Sequence, residues 1–452
     1  MQKTILLCLL LPITHILIAQ TWYVSGTGSD KNDGKTLKTA FRSLQKAADL
    51  VQAGDKVLID KGIYTNADKS NGSAVLSIKS SGKPNAWITW QALKGTKPDI
   101  RPTGWGGIDI SGSYHIIDGL TVTGSNDSIV LLAAQEDAKK PKPNPYFNTN
   151  GIVVDGRKTK PDAKPHHVII RNCVVTKCPG GGVVGLETDY LTVEDCLVSE
   201  NAWFMRYGGS GISTLNNWAF DDAAGYHIII QRNFVWNNKT LVPWEKIGKL
   251  SDGNGIILDV TDQNNTGATN PNADAVTKPA DTAAAPILTK PKRPEWKARA
   301  LIANNLSAFN GGSGIHTFRT KYVDIVNNTT YHNGGIVGYA ELFANNSEDV
   351  VILNNIIVPR PNGKVTSNNK NTNIKWDYNL YPMAQEVMKG AHDIIAEPQF
   401  VNAQLNILQG NFNLSSGSAA LHSGTRELQQ SSDLNHRERL QGKGIDRGCF
   451  EQ

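Results

Sequence analysis

Short apolar runs, each closed by an Asn or Asp, recur along the middle of the chain. His167-Val168-Ile169-Ile170-Arg171-Asn172-Cys173-Val174-Val175 is followed by Tyr190-Leu191-Thr192-Val193-Glu194-Asp195-Cys196-Leu197-Val198. The pattern returns at 226–235, 299–307, 321–329 and 349–357, with the closing Asn or Asp at 172, 195, 233, 305, 328 and 355. Runs this short, rich in β-branched residues and without helical period, predict strands; their recurrence predicts a solenoid of β coils. The longer intervals are expected to hold one or more coils carrying insertions. An Asn at a fixed turn can stack on its neighbours and bond the adjacent backbone, which a Leu could not do.

A glycine turn feeding a strand recurs as well: Asn150-Gly151-Ile152, Gly209-Ser210-Gly211-Ile212, Gly253-Asn254-Gly255-Ile256 and Gly312-Ser313-Gly314-Ile315. The expected organisation is an N-terminal cap and first strand over 20–70, coils over 71–399 and a less regular C-terminal cap over 400–452. Three stretches depart from the repeat, near 132–149, 200–225 and 261–298. Insertions on a solenoid emerge as loops that wall a binding face.

The chain opens with Lys3 and an apolar run from Ile5 to Leu11, then Ile16-Leu17-Ile18-Ala19, which predicts a signal peptide over 1–19 and a secreted or periplasmic protein. No later stretch is long and apolar enough for a membrane span. Cys173, Cys178, Cys196 and Cys449 remain after the leader, too few for a disulfide scaffold; Cys173 and Cys196 fall at equivalent places in consecutive coils and read as core residues. The formal net charge of +5 suits an anionic polysaccharide partner. It does not point to nucleic acid, since no Lys/Arg cluster is interleaved with aromatics.

Before the coils, residues 41–51 show an amphipathic helix with Leu44, Ala47, Ala48 and Val51 on one face, suited to capping the open end of a β solenoid. The segment Tyr23-Val24-Ser25, Gly28-Ser29-Asp30, Asn32-Asp33-Gly34 and Gly54-Asp55-Lys56-Val57 resembles the entry to secreted right-handed parallel β-helix proteins of the pectate-lyase superfamily. Phe412-Asn413-Leu414, Ser416-Gly417-Ser418-Ala419-Ala420-Leu421 and Ile445-Asp446-Arg447-Gly448-Cys449-Phe450-Glu451 carry the companion signature of the tail. The resemblance covers the mature chain and implies an all-β, right-handed parallel β-helix with an N-terminal capping helix. It is looser for activity, because such proteins include lyases, glycoside hydrolases and binding proteins.

A long open cleft suits a polymer, with Trp and Tyr stacking on sugars and Arg or Lys holding carboxylates. For a uronate polymer the economical reaction is β-elimination, in which a cation neutralises the carboxylate and a basic side chain removes the C5 proton. The best local match is Ser251-Asp252-Gly253-Asn254-Gly255-Ile256-Ile257-Leu258-Asp259-Val260-Thr261-Asp262, whose hard oxygens suit Ca2+. Aligning the glycine turns places Asp155, Glu187 and Asp259 near one end of their strands, and the 200–225 insertion adds Asp221 and Asp222. The expected metal ligands are therefore Asp252, Asp259, Asp221, Asp222 and Glu187. Candidate bases are Lys246, Lys249, Arg206, His316 and Arg319; strand alternation puts His316 and Arg319 on opposite faces unless the chain bends between them.

The marks of polygalacturonase-type hydrolases (Arg-Ile-Lys, Asn-Thr-Asp with a following Asp-Asp, Gly-His-Gly) are missing, and no Gly-x-Ser-x-Gly elbow occurs. The reading is a monomeric, secreted, calcium-assisted lyase of an acidic glycan. A glycoside hydrolase on the same scaffold and a non-catalytic carbohydrate-binding or cell-surface protein remain the alternatives.

Overall fold

The computed structural model describes residues 19–66, 72–261, 293–440 and 443–452. The expected leader, Asp262 and most of the 261–298 insertion lie outside the described residues. Among the described residues no helix is long and apolar enough to cross a membrane.

One coil shows the plan. His166–Arg171 lies in a first sheet (A), Val174–Thr176 in a second (B) and Val183–Leu186 in a third (C). Each strand pairs in parallel with its equivalents one coil before and after: Val168 meets Leu191, which meets Ile228, then Ala300. Strand order in all three sheets follows the chain, so the interval from 233 to 305 is a single coil carrying a long insertion. Alternate residues point inward; Ile170, Val193, Ile230, Ile302, Ile325 and Ile352 form one fully buried column. The strands are buried on both sides of the wall in places and read as apolar runs, as parallel sheets do.

The Asn ladder at the A–B corner differs from the expected positions in its first two rungs. The backbone N–H of Asn233 donates to Asn305 Oδ1 (3.0 Å), Asn305 to Asn328 and Asn328 to Asn355, and each Nδ2 bonds a carbonyl of a neighbouring coil. In line with these stand Cys173 and Cys196, not Asn172 and Asp195, since Cys196 N–H donates to Asn233 Oδ1. Asn172 and Asp195 precede the rung and hold the left-handed conformation (φ 54° and 56°), as Asn304 and Asn327 do later. The four cysteines among the described residues are free and buried.

A second ladder runs along the B–C corner through Asn201, Asn238, Asn310 and Asn333 to the buried carboxyl of Glu341. The recurring glycines explain themselves beside it. A Cβ on Gly151 would lie 2.3 Å from Val175, on Gly182 2.6 Å from Val198 and on Gly255 2.1 Å from Ser307 Oγ. The corner brings the backbone of sheet C so close to sheet B that no side chain fits.

Helix α1 (Leu44–Ala48), shorter than its apolar pattern, is capped by Ser43 and buries Leu44 and Ala47 against the first coils. The 132–149 insertion contains helix α2 (Leu131–Ala138). The tail from 400 lies along sheet B, packing Phe412, Leu434, Cys449 and Phe450 on Leu306 and Ala308.

Candidate functional site

The strands of sheet C used below are β1 (Leu76–Ile78), β2 (Gly106–Ile110), β3 (Asn150–Asp155), β4 (Val183–Leu186), β5 (Ile212–Leu215), β6 (Ile256–Asp259), β7 (Ile315–Phe318) and β8 (Leu342–Asn345). Ile256 and Leu258 face the core, so Ile257 and Asp259 face outward. Register then defines one outward row of Asp109, Val153, Val184, Ser213, Ile257, His316 and Phe343. A second row holds Asp155, Leu186, Leu215, Asp259, Phe318 and Asn345. Loops from the B–C corner flank one side of this face and loops from the C–A corner flank the other.

His316 stacks on Phe343 one coil away, with ring centroids 4.6 Å apart, and its Nδ1 lies 2.7 Å from Ser313 Oγ. The Asn254 Oδ1 atom accepts both the Ser313 backbone N–H (3.0 Å) and the Ser313 hydroxyl (3.2 Å). With its own proton committed, the Ser313 oxygen accepts from His316, which places the imidazole proton on Nδ1 and the lone pair on Nε2. Nε2 has no hydrogen-bond partner among the described residues. Burial pushes the imidazole down to about 3, so the ring is neutral at ordinary pH.

Arg319 follows the outward Phe318 in the left-handed conformation (φ 55°). That bend reverses the expected alternation: the guanidinium folds back over the Phe318 ring, 4.1 Å from its centroid, on the same face as His316. The residue is 6% exposed, and its Nη1 is sealed from solvent without a hydrogen bond. Burial lowers its basicity, opposed by the charge of Asp259 in the neighbouring coil.

At the B–C end of the same face, Asp252 (φ 67°) sits beside Gly208, where a Cβ would come 2.5 Å from Asp252 Oδ2. Burial pushes this carboxyl up to about 6, against a hydrogen bond from Ser251. Tyr339, from the loop before β8, stands edge-on to His316 with centroids 6.0 Å apart, and its hydroxyl lies 3.4 Å from Ser251 Oγ.

The remaining expected site residues lie elsewhere. Glu187 is buried in an ion pair with Lys164 (2.6 Å), whose ammonium lies 4.6 Å from the Trp218 ring centroid. Asp221 accepts the Tyr190 hydroxyl (2.7 Å) over sheet A, and Asp222 pairs with Lys297 (2.8 Å). Asp252 and Asp259 flank opposite ends of β6. Arg206 donates to Glu245 (2.6 Å) and to the Lys140 carbonyl (2.7 Å), clasping three loops together. Lys246 is exposed on a turn closed by the Trp244–Lys249 bridge.

Calcium needs six to eight oxygens at 2.3–2.6 Å. Among the described residues no group of three or more His, Cys, Asp or Glu side chains is spaced to hold a metal ion. The five expected acids are dispersed over two sheets and three of them are engaged by Lys164, Lys297 or Tyr190. They do not fit one calcium site.

Sequence reasoning also missed Asp109 on β2. Burial, and then the charge of Asp155 on the adjacent coil, push its carboxyl up to about 6. Burial works in the same direction on Asp155, but the bidentate Arg157 (3.0 and 2.8 Å) outweighs it and holds that carboxyl below its usual range.

No family model matches the chain, and no curated protein does. Among solved structures, pectate lyase Pel9A is similar over 96% of both chains, with a TM-score of 0.56 at 16% identity. XylC in complex with xylose covers 96% of this chain and 99% of its own at 11% identity and a TM-score of 0.44. A rhamnogalacturonan lyase covers 88% and 96% at 14% identity and a TM-score of 0.41. Three stacked parallel sheets, same-register coils and the match to Pel9A over nearly the whole length give the chain a right-handed parallel β-helix fold like that of Pel9A.

Proposed function

We propose that the protein is a polysaccharide lyase that cleaves an acidic, uronate-containing glycan on the outer face of sheet C. One observation carries this reading: β7 presents a neutral imidazole with a bare Nε2, and Arg319 just after it folds onto the same face a guanidinium whose Nη1 has no hydrogen bond among the described residues. A planar guanidinium in a desolvated site is matched to a carboxylate. With a uronate carboxylate on Arg319, the C5 proton becomes more acidic and His316 Nε2 accepts it. The electron pair forms the C4–C5 double bond and the C4–O4 bond breaks. The fold shared with pectate lyase Pel9A supports a carbohydrate substrate, and the apolar opening of the chain supports a secreted or periplasmic location.

The test is absorbance near the ultraviolet band of the unsaturated product, during incubation of the purified protein with a panel of uronate polymers. A rise in wild type that falls by about 100-fold or more in His316→Ala supports the reading, as expected for loss of a general base. No rise with any polymer overturns it. Chelator in a parallel arm tests calcium: a rise that it abolishes would restore the metal-assisted form expected from the sequence.

The hydrolase reading has its own support in Asp109 and Asp155. One is pushed up to about 6 and the other is held low, on one face in adjacent coils, which is how acid and base roles separate. New reducing ends without the ultraviolet rise, lost in Asp109→Asn, would favour it.

A further inference from the structure

Elimination leaves a charge on O4, and a group on this face must supply the proton that O4 needs. Three features single out Tyr339. Its ring stands edge-on to both His316 and Phe343, with centroids 6.0 and 6.2 Å away, so the phenol stands beside the imidazole. Its oxygen lies 3.4 Å from the Ser251 hydroxyl, a contact in which either oxygen can hold the proton. Finally, the ring is half-buried and held by a backbone turn from Gly334 to Tyr339 that packs on Arg360, so it is a fixed part of the face.

We infer that Tyr339 is the catalytic proton donor to the leaving O4, with Asp252 as its positioning residue; this rests on the lyase reading above. The step balances: the C5 proton goes to His316 Nε2, the C5–H pair forms the new double bond, the C4–O4 pair stays on O4, and the Tyr339 proton neutralises it. After product departs, the imidazolium proton returns to the phenolate through solvent. Burial, and after it the Asp252 charge, raise the phenol and keep it protonated.

The experiment compares wild type, Tyr339→Phe and Asp252→Asn on two substrates, a uronate oligosaccharide and the same unit carrying dinitrophenolate at C4. Dinitrophenolate leaves without a proton. Tyr339→Phe is expected to lose about 100-fold or more in kcat on the oligosaccharide. KM stays within threefold, and most of the rate returns on the aryl substrate. Asp252→Asn is expected to move the basic limb of the kcat–pH profile to lower pH. Equal losses on both substrates, or an oligosaccharide kcat within threefold of wild type, would overturn the inference while leaving the lyase reading intact. Absence of elimination in wild type overturns both.

Discussion

The Arg319 guanidinium rests on the Phe318 ring, 4.1 Å from its centroid, on the outer face of the sheet, and its Nη1 has no hydrogen bond among the described residues. A cation held out of water and eased by the Asp259 charge without a hydrogen bond weakens the fold, and it is retained where a ligand will complete it. Arg319→Met should therefore raise stability by about 1 kcal/mol in urea unfolding. The same variant should lower kcat/KM by about 100-fold or more, as loss of a charge-stabilising donor does. A variant both less stable and fully active would refute the assignment.

Glu341 ends the inner ladder in a buried site that pushes its carboxyl from the ordinary range up to about 8, against hydrogen bonds from Asn333. The folded protein therefore holds a proton that the unfolded chain releases near pH 4.5. Its contribution is complete below that pH and is lost as pH rises towards about 8. Unfolding free energies should decline across this window, and Glu341→Gln should flatten the decline. An unchanged slope in the variant would show that the carboxyl is not proton-bound.

Asn305 accepts from the backbone N–H and the side-chain amide of Asn233 and donates to Asn328. Asn305→Ala strands several buried donors and acceptors at once and should cost about 3 kcal/mol or more, measured by denaturant midpoint and slope. Asn172→Ala, outside the ladder, should cost far less.

Gly255→Ala drives a Cβ to 2.1 Å from Ser307 Oγ and 2.6 Å from the Gly314 carbonyl, so it should destabilise by about 1–3 kcal/mol. Gly335→Ala meets nothing within 4 Å and should stay within about 0.5 kcal/mol. Equal midpoints for the two would remove the steric account of the glycine column.

Periodicity revealed the coils because every coil solves the same packing problem with the same residue types. It misplaced the first two ladder rungs because Cys173 and Cys196 fill a place that later coils give to Asn, while a neighbouring Asn or Asp offers itself in the turn. The glycine alignment did bring Asp155 and Asp259 into one row. What it could not carry was their company: Arg157, Lys164 and Lys297 come from stretches without period, and they decide which acids are engaged. Alternation separated His316 from Arg319; a left-handed residue reunites them, and that depends on the conformation of one residue in a turn. Tyr339 gave no signal, since its loop shares no pattern with β6 or β7.

Same-register stacking makes the working face a graduated scale. Each coil adds one outward residue per row, and neighbouring coils stand about 4.8 Å apart. Under the lyase reading, a polymer laid along that scale would be gripped over a whole number of coils. A chain that gained or lost one coil beyond Phe343 would lengthen or shorten its reach by one division, leaving His316, Arg319 and Tyr339 aimed as before.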